Sequence, residues 1–130
     1  IDLSLIANDL KTKSEWLKSF IRRKEWLKYG FFNGYYDNTG KRVEGKTGSL
    51  MRMMLASQVF AIMSGVASPK QIKETWESIR KYLYDKNLKG FRLNTDFKQL
   101  YMDLGRAFGF SYGDKENGAF FNHMVIMLSF

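Results

Sequence analysis

Two segments of the chain are apolar on almost every side, and this feature constrains the fold more than any other. Residues 49–63 (SLMRMMLASQVFAIM) and residues 119–130 (AFFNHMVIMLSF) carry too many apolar side chains for helices with one solvent-facing side. A helix that is apolar all round is buried inside a larger protein. We therefore predict that these 130 residues supply consecutive helices to a larger helical array.

Two other segments have the pattern of helices with a single apolar face. In residues 2–28 the large apolar side chains fall on one face of the predicted helix, and lysine and arginine fall on the opposite face. Ser68, Pro69 and Gln71 form a helix start, with an N-cap serine, a proline at the first helical position and a capping-box glutamine. This helix is predicted to end near residues 86–87, and its apolar face consists of Ile72, Trp76, Ile79 and Leu83.

The segments between these helices contain the signals of turns. Residues 31–46 (FFNGYYDNTGKRVEGK) place a turn at residues 37–40 between two extended runs, which predicts a β-hairpin. Residues 89–114 are rich in glycine and aromatic residues and are predicted to be irregular, with a short helical turn within residues 96–104. The predicted fold class is therefore mainly α with one β-hairpin.

The composition excludes several classes of site. The chain has 21 basic and 13 acidic residues, a formal net charge of +8, which favours acidic or phosphorylated partners. It contains no cysteine and one histidine, so no metal site and no cofactor are predicted. A secretory signal is absent and the longest apolar stretch is well below the roughly 20 residues of a bilayer span. We therefore expect a cytoplasmic protein with no membrane partner.

Three segments carry motifs that occur together in one known family. They are GYYDNTGKRVEGK at residues 34–46, MLASQVFAIMSGVAS at residues 54–68 and YGDKENGAFFNH at residues 112–123. In order and spacing they resemble glycoside hydrolase family 94, whose members include inverting glycoside phosphorylases. The resemblance covers roughly residues 15–130. It implies that residues 1–130 are a fragment of a catalytic (α/α)6-barrel domain, truncated at both ends.

The resemblance also implies a reaction. Enzymes of this kind cleave a β-glucoside with inorganic phosphate and release a sugar 1-phosphate. Met124, directly after the histidine, makes the motif similar to 1,2-β-oligoglucan phosphorylases and to the C-terminal region of cyclic β-1,2-glucan synthases. The expected partners are therefore a β-1,2-glucan-type oligosaccharide and inorganic phosphate, with a homodimer as the expected form of the intact enzyme.

The family's general acid is an aspartate in an Asp-Trp-Asn-Asp-like loop, and no segment of the chain matches that motif. We therefore predict no catalytic residue within these residues. The motif would lie N-terminal to residue 1. The isolated chain is accordingly expected to be inactive.

Five residues are candidate site residues, and the same resemblance assigns the roles of two of them. His123 corresponds to a phosphate-binding histidine, and Glu116 to a residue that faces the acceptor sugar. Asn117 and Gly118 are expected to shape the loop between them, since glycine permits a positive φ and close backbone approach. Gln58 is a polar residue in an apolar helix, where a buried amide that satisfies the backbone and a support for the sugar site are equally compatible with the pattern. Without the resemblance, a core histidine would be the better interpretation of His123.

A second class of function remains open at this point. A net charge of +8 with 16% aromatic residues also occurs in nucleic-acid-binding proteins. The charges are spread along the chain and no nucleic-acid motif is recognised, so no nucleic-acid partner is predicted. The alternative to the enzyme is a basic helical nucleic-acid-binding or scaffold module without enzymatic activity.

Overall fold

The computed structural model describes residues 2–129, which form helices joined by short antiparallel ribbons. Within that range there are four α-helices: α1 (Leu3–Lys24), α2 (Leu55–Met63), α3 (Pro69–Tyr82) and α4 (Asn122–Leu128). A 3-10 turn lies at Arg106–Gly109. It follows residues 96–104, where the sequence predicts a helical turn and the structure has no helix. The mainly α class is confirmed. No helix among the described residues combines the length and apolar character needed to cross a bilayer.

The extended segments differ from the single predicted hairpin. In residues 2–129 they form three two-stranded antiparallel ribbons: β1 (Trp26–Leu27) with β2 (Phe31–Phe32), β3 (Gly45–Thr47) with β4 (Leu50–Arg52), and β5 (Tyr84–Asp85) with β6 (Gly90–Phe91). Within residues 31–46 the turn is present, but its two arms meet through one bridge, Tyr36 with Arg42. The ends of that segment pair outward, β2 with the preceding strand and β3 with the following one.

Two helices begin later than the apolar pattern predicts. The predicted helix from residue 49 begins at Leu55, because Leu50–Arg52 is taken up by the ribbon with β3. The last helix begins at Asn122, because its N-cap Phe121 is extended and the Ala119 carbonyl accepts a hydrogen bond from the amide of Leu93 (3.0 Å). The third helix ends at Tyr82, earlier than predicted, since β5 follows it directly.

The capping signature of α3 is confirmed in full. The Ser68 hydroxyl accepts from the Gln71 amide, and the Gln71 side chain accepts from the Ser68 amide. Pro69 occupies the first helical position, where its missing N–H is not needed. Ile79 and Leu83 are buried, whereas the first half of the predicted apolar face is partly exposed.

The main core lies where α2 and α4 pack against each other, over β2 and α3. Its buried residues are Leu27, Phe31, Met53, Leu55, Val59, Ile79, Leu83 and Met124. Burial of α2 is one-sided rather than nearly complete, since Phe60 is 57% and Met63 51% exposed. Phe60 lines an apolar groove of about 310 Å³ together with Ile21 of α1.

Helix α1 is the most exposed element. Asp2 caps it by accepting from the Ser4 amide at 2.9 Å, but none of its residues is fully buried. Its predicted apolar stripe is open to solvent for most of its length. It is attached at its C-terminal end, where Arg22 donates to the carbonyls of Val66 (2.5 Å) and Gly65 (2.8 Å).

A buried carboxylate joins the 34–44 loop to α2. Glu44 accepts from the amides of Gly34 and Met54 (both 2.9 Å), from the Ser57 hydroxyl and from the Gln58 side-chain amide (3.2 Å). All four partners are donors, which suits a carboxylate. Position 34 must be glycine for this approach, because a Cβ there would lie 2.5 Å from the Ser57 hydroxyl oxygen.

Burial changes the acidity of this group. Glu44 is 5% exposed, and its removal from water raises the pKa of the carboxyl to about 7, although the hydrogen bonds from Ser57, Gly34 and Met54 act to lower it. The folded protein therefore holds a proton here at pH values where the unfolded chain, with a pKa near 4.5, has released it.

This difference predicts a pH-dependent stability. Between about pH 4.5 and 7 the unfolded chain binds fewer protons at Glu44 than the folded one, so the free energy of unfolding falls as pH rises, by roughly 3 kcal/mol in all. We expect Glu44→Gln to abolish this part of the slope in urea denaturation at a series of pH values. Glu77→Gln, at an exposed position, is the matched control and should keep it. An unchanged slope in Glu44→Gln would contradict the prediction.

Candidate functional site

The segment from Ser111 to Gly118 forms a tight turn ahead of α4. The Gly113 amide donates to the Asn117 carbonyl (2.6 Å), and the Asn117 amide donates back to the Asp114 carbonyl (3.0 Å). Lys115, with φ of 45°, and Gly118, with φ of 74°, lie in the left-handed region. A non-glycine residue there costs free energy and occurs preferentially at functional sites.

Asn94 braces this turn from the neighbouring segment. Its side-chain amide donates to the Asn117 side-chain carbonyl (2.9 Å), and its own side-chain carbonyl accepts from the Gly118 amide (2.7 Å). Its backbone carbonyl accepts from the Tyr112 hydroxyl (3.1 Å). Asn94 is 1% exposed, so these bonds form away from competing water.

Arg92 contacts the same turn from a second direction. It pairs with Asp85 and donates to the Gly118 carbonyl (2.8 Å). Its guanidinium lies over the rings of Tyr112 and Phe120. Gly118 is closely enclosed, since a Cβ at that position would collide with the Tyr112 ring.

Glu116 lies within this turn and is partly buried. Its Oε2 atom is inaccessible to solvent and has no hydrogen-bond partner among residues 2–129. A buried acceptor without a donor is costly. In native structures such a group commonly marks a position where a ligand or water supplies the missing donor.

His123 is the second residue of α4 and is exposed. Its ring lies 5.3 Å from that of Phe121. Among residues 2–129 the side chain therefore lies outside the buried clusters, and its role in phosphate binding stays a prediction. Both ring nitrogens belong to a side chain that solvent can reach.

Gln58 lies in a different cluster. It is fully buried, and its amide makes bonds with the Phe32 backbone at both N–H (2.8 Å) and carbonyl (2.9 Å), with the Met54 carbonyl and with Glu44. All of these partners lie within the protein, as expected for a buried amide that satisfies the backbone. None of them belongs to the 111–118 turn.

A polar cavity of about 300 Å³ opens beside the turn. Its lining combines a carboxylate, an ammonium group, amides, a hydroxyl and an aromatic ring: Asp96, Lys98, Gln99, Leu100, Ser111, Tyr112 and Asn117. Among residues 2–129 no group of three or more histidine, aspartate or glutamate side chains has the arrangement of a metal site. The polar groups of the lining can donate and accept hydrogen bonds.

Comparison with known proteins identifies the family. Residues 6–128 match the Glycosyl hydrolase 94 superfamily, catalytic domain. The chain belongs to this family. Among curated proteins there is no match. Membership of the Glycosyl hydrolase 94 superfamily supports a function of the glycoside phosphorylase or glycoside hydrolase type, in carbohydrate metabolism.

Sequence reasoning did not single out Asn94 or Arg92. Both lie in the irregular region, where neither periodicity nor a short motif marks a residue as structural. Their hydrogen-bond partners in the turn are 18 to 26 positions away in the sequence. The one available signal was the position of polar residues between the aromatic residues of FRLNTDF, and it does not reveal which partners they bind.

The bonds of Asn94 predict a large effect of its removal. In Asn94→Ala the Gly118 amide and the Asn117 side-chain carbonyl lose their buried partner, which should lower the free energy of unfolding by about 2–4 kcal/mol. Amide hydrogen exchange at Gly118 should accelerate more than exchange in α3. Asn87→Ala, at an exposed position, should change neither. Unaltered exchange at Gly118 in Asn94→Ala would show that the brace does not hold the turn.

Proposed function

We propose that the chain is part of an inverting glycoside phosphorylase that cleaves a β-1,2-glucan-type oligosaccharide with inorganic phosphate and releases a sugar 1-phosphate. The observation that carries this proposal is the match of residues 6–128 to the Glycosyl hydrolase 94 catalytic domain, within which Glu116 lies in a turn that Asn94 and Arg92 hold from both sides.

The reaction needs one acid and one bound nucleophile. The acid protonates the leaving glycosidic oxygen while phosphate attacks the anomeric carbon from the opposite face, as in the inverting glycosidase geometry with phosphate in place of activated water. Because phosphate brings its own negative charge, the enzyme must supply hydrogen-bond donors rather than a second catalytic carboxylate. We assign the acid to residues outside this chain, since none of its segments matches the family's acid loop.

His123 is assigned to the phosphate in this proposal. Its exposed imidazole at the start of α4 offers an N–H donor that phosphate oxygens can accept. Glu116 is assigned to the acceptor side of the oligosaccharide, with Asn117 and Gly118 fixing the turn between the two residues. Gln58 supports the site indirectly, through Glu44 and the start of α2.

The architecture proposed for the intact enzyme is an (α/α)6 barrel, of which residues 1–130 are one part. Its support is the apolar surface that the described residues leave open. Trp16 on α1 is 64% and Phe60 on α2 57% exposed, and such surfaces favour contact with further apolar elements. The proposal includes a cytoplasmic location and a homodimer, and it requires no nucleic-acid or membrane partner.

The phosphate assignment is tested by His123→Ala in the intact enzyme that carries this chain. Removing one charge-assisted contact to phosphate should cost about 1.5–3 kcal/mol, roughly 10- to 200-fold in kcat/KM for phosphate. Steady-state assays with phosphate varied at saturating oligosaccharide measure this. Asn122→Ala, also exposed on the first turn of α4, is the control and should leave phosphate kinetics intact. Equal phosphate kinetics in both variants would reject the assignment.

The sugar assignment is tested by Glu116→Gln. The substitution keeps the shape of the side chain but replaces one acceptor oxygen by a donor group, so we expect the KM for oligosaccharide to rise by about 10-fold while the KM for phosphate stays within twofold. Asp114→Asn changes an exposed carboxylate in the same turn and should have little effect.

Salt-dependent binding of RNA or DNA, with no phosphorolysis of any β-glucan, would favour the nucleic-acid-binding alternative instead.

A further inference from the structure

We propose that Arg92 is a positioning residue for the acceptor side of the site: it fixes Glu116 through the Gly118 carbonyl, and it leaves the His123 side nearly unaffected. This inference rests on the proposed function, because it concerns the sugar that Glu116 is assigned to bind. Its support is the geometry of one arginine between the β5–β6 ribbon and the 111–118 turn.

One side of Arg92 is fixed by the ribbon. Its Nε and a terminal nitrogen lie 2.8 and 2.7 Å from the same carboxylate oxygen of Asp85. The other Asp85 oxygen accepts from the amides of Asn87 and Leu88 (2.9 and 3.0 Å). The carboxylate is therefore held by the ribbon's own turn, and the pair is less than one-fifth exposed, so solvent screens it weakly.

The other side of Arg92 reaches the turn. Its second terminal nitrogen donates to the Gly118 carbonyl at 2.8 Å. The guanidinium carbon lies 5.1 Å from the Tyr112 ring centre and 4.9 Å from that of Phe120, within the range of cation–π attraction. These two aromatic residues flank the segment that contains Glu116. Arg92 thus contacts the turn at its beginning, at Gly118 and just beyond it.

The close approach of the ribbon adds to this restraint. A Cβ at position 90 would lie 2.5 Å from the Phe120 ring, so the ring sits directly against the ribbon backbone. Phe120 is therefore confined between Gly90 and the Arg92 guanidinium. Loss of the guanidinium would leave the ring in contact with the ribbon but remove the bond that fixes the Gly118 carbonyl.

The His123 side has separate anchors. The carbonyl of Ala119 accepts from the Leu93 amide at 3.0 Å, and Met124 is buried in the main core. These contacts hold α4 whether or not Arg92 is present. The backbone at Gly118 instead depends on Arg92 and Asn94. Removing the Arg92 contact should therefore displace Glu116 more than His123.

Only an arginine can make this set of contacts. The flat guanidinium offers donors in several fixed directions and stacks on aromatic rings, whereas a lysine ammonium is a single flexible point charge. Arg92→Lys keeps the charge beside Asp85 and gives up the bond to Gly118 together with the stacking. It is therefore the most informative variant for a positioning role.

The test uses Arg92→Lys and Asp85→Asn in the intact enzyme that carries this chain, with phosphate and oligosaccharide varied independently. Small displacements of a binding group have large kinetic effects, so we expect the KM for oligosaccharide to rise on the order of 10-fold while the KM for phosphate stays within twofold. Arg22→Lys is the matched control, since Arg22 also donates to backbone carbonyls but at the turn before α3. It should lower Tm without raising the KM for oligosaccharide.

A double-mutant cycle separates positioning from general stability. If Arg92 acts through Glu116, then Arg92→Lys should add little to the kinetic defect of Glu116→Gln. Equal changes in both KM values, or fully additive effects, would overturn the positioning role. If Glu116→Gln impairs the oligosaccharide side and Arg92→Lys does not, this inference fails alone. If Glu116→Gln leaves oligosaccharide kinetics unchanged, the proposed function fails first. If Arg92→Lys does not fold, Asp85→Asn retains the arginine and gives the same comparison of the two KM values.

Discussion

The carboxylate of Glu44 is the interaction on which the local architecture depends. The carboxylate accepts hydrogen bonds from two backbone amides, those of Gly34 and Met54. These residues lie 10 positions before and 10 positions after Glu44 in the sequence. A buried amide without a hydrogen-bond partner destabilises the fold by more free energy than a hydrogen bond at the surface contributes. The carboxylate therefore fixes where the 34–44 loop meets the start of α2. Burial disfavours the charged carboxylate, whereas the hydrogen bonds donated to it favour the charged form, so the two act on its pKa in opposite directions.

The features that the sequence predicted well are the ones with local causes. The cap formed by Ser68 and Gln71 requires residues three positions apart, and the structure contains it as predicted. The hairpin over residues 31–46 is different, because the choice of strand partner is not local. Phe31–Phe32 pairs with Trp26–Leu27, and Gly45–Thr47 pairs with Leu50–Arg52, so each end of the segment has its partner outside it. The late start of α2 has the same origin, since Leu50–Arg52 is drawn into a ribbon with β3.

The candidate site shows the same division between local and distant information. The 112–123 motif could be found from the sequence because it is contiguous and resembles a family signature. The residues that hold it could not, because a brace such as Asn94 is defined by partners more than 20 positions away. Propensity and periodicity describe which face of an element is apolar. They carry no information about which polar side chain closes a turn from another segment.

The two features are connected through a short extended segment. Met54 donates its amide hydrogen to Glu44 and forms an antiparallel bridge with Asn94. Its two neighbours also bond to this segment: the Leu55 amide donates to the Leu93 carbonyl (2.7 Å), and the Met53 carbonyl accepts from the Thr95 amide (3.0 Å). Asn94 then holds the turn that carries Glu116. Hydrogen bonds and the backbone of residues 53–55 and 93–95 therefore link the buried carboxylate to the candidate sugar site. The Glu44 network and the brace at the 111–118 turn therefore share one pair of backbone segments, so a displacement of that pair would reach both.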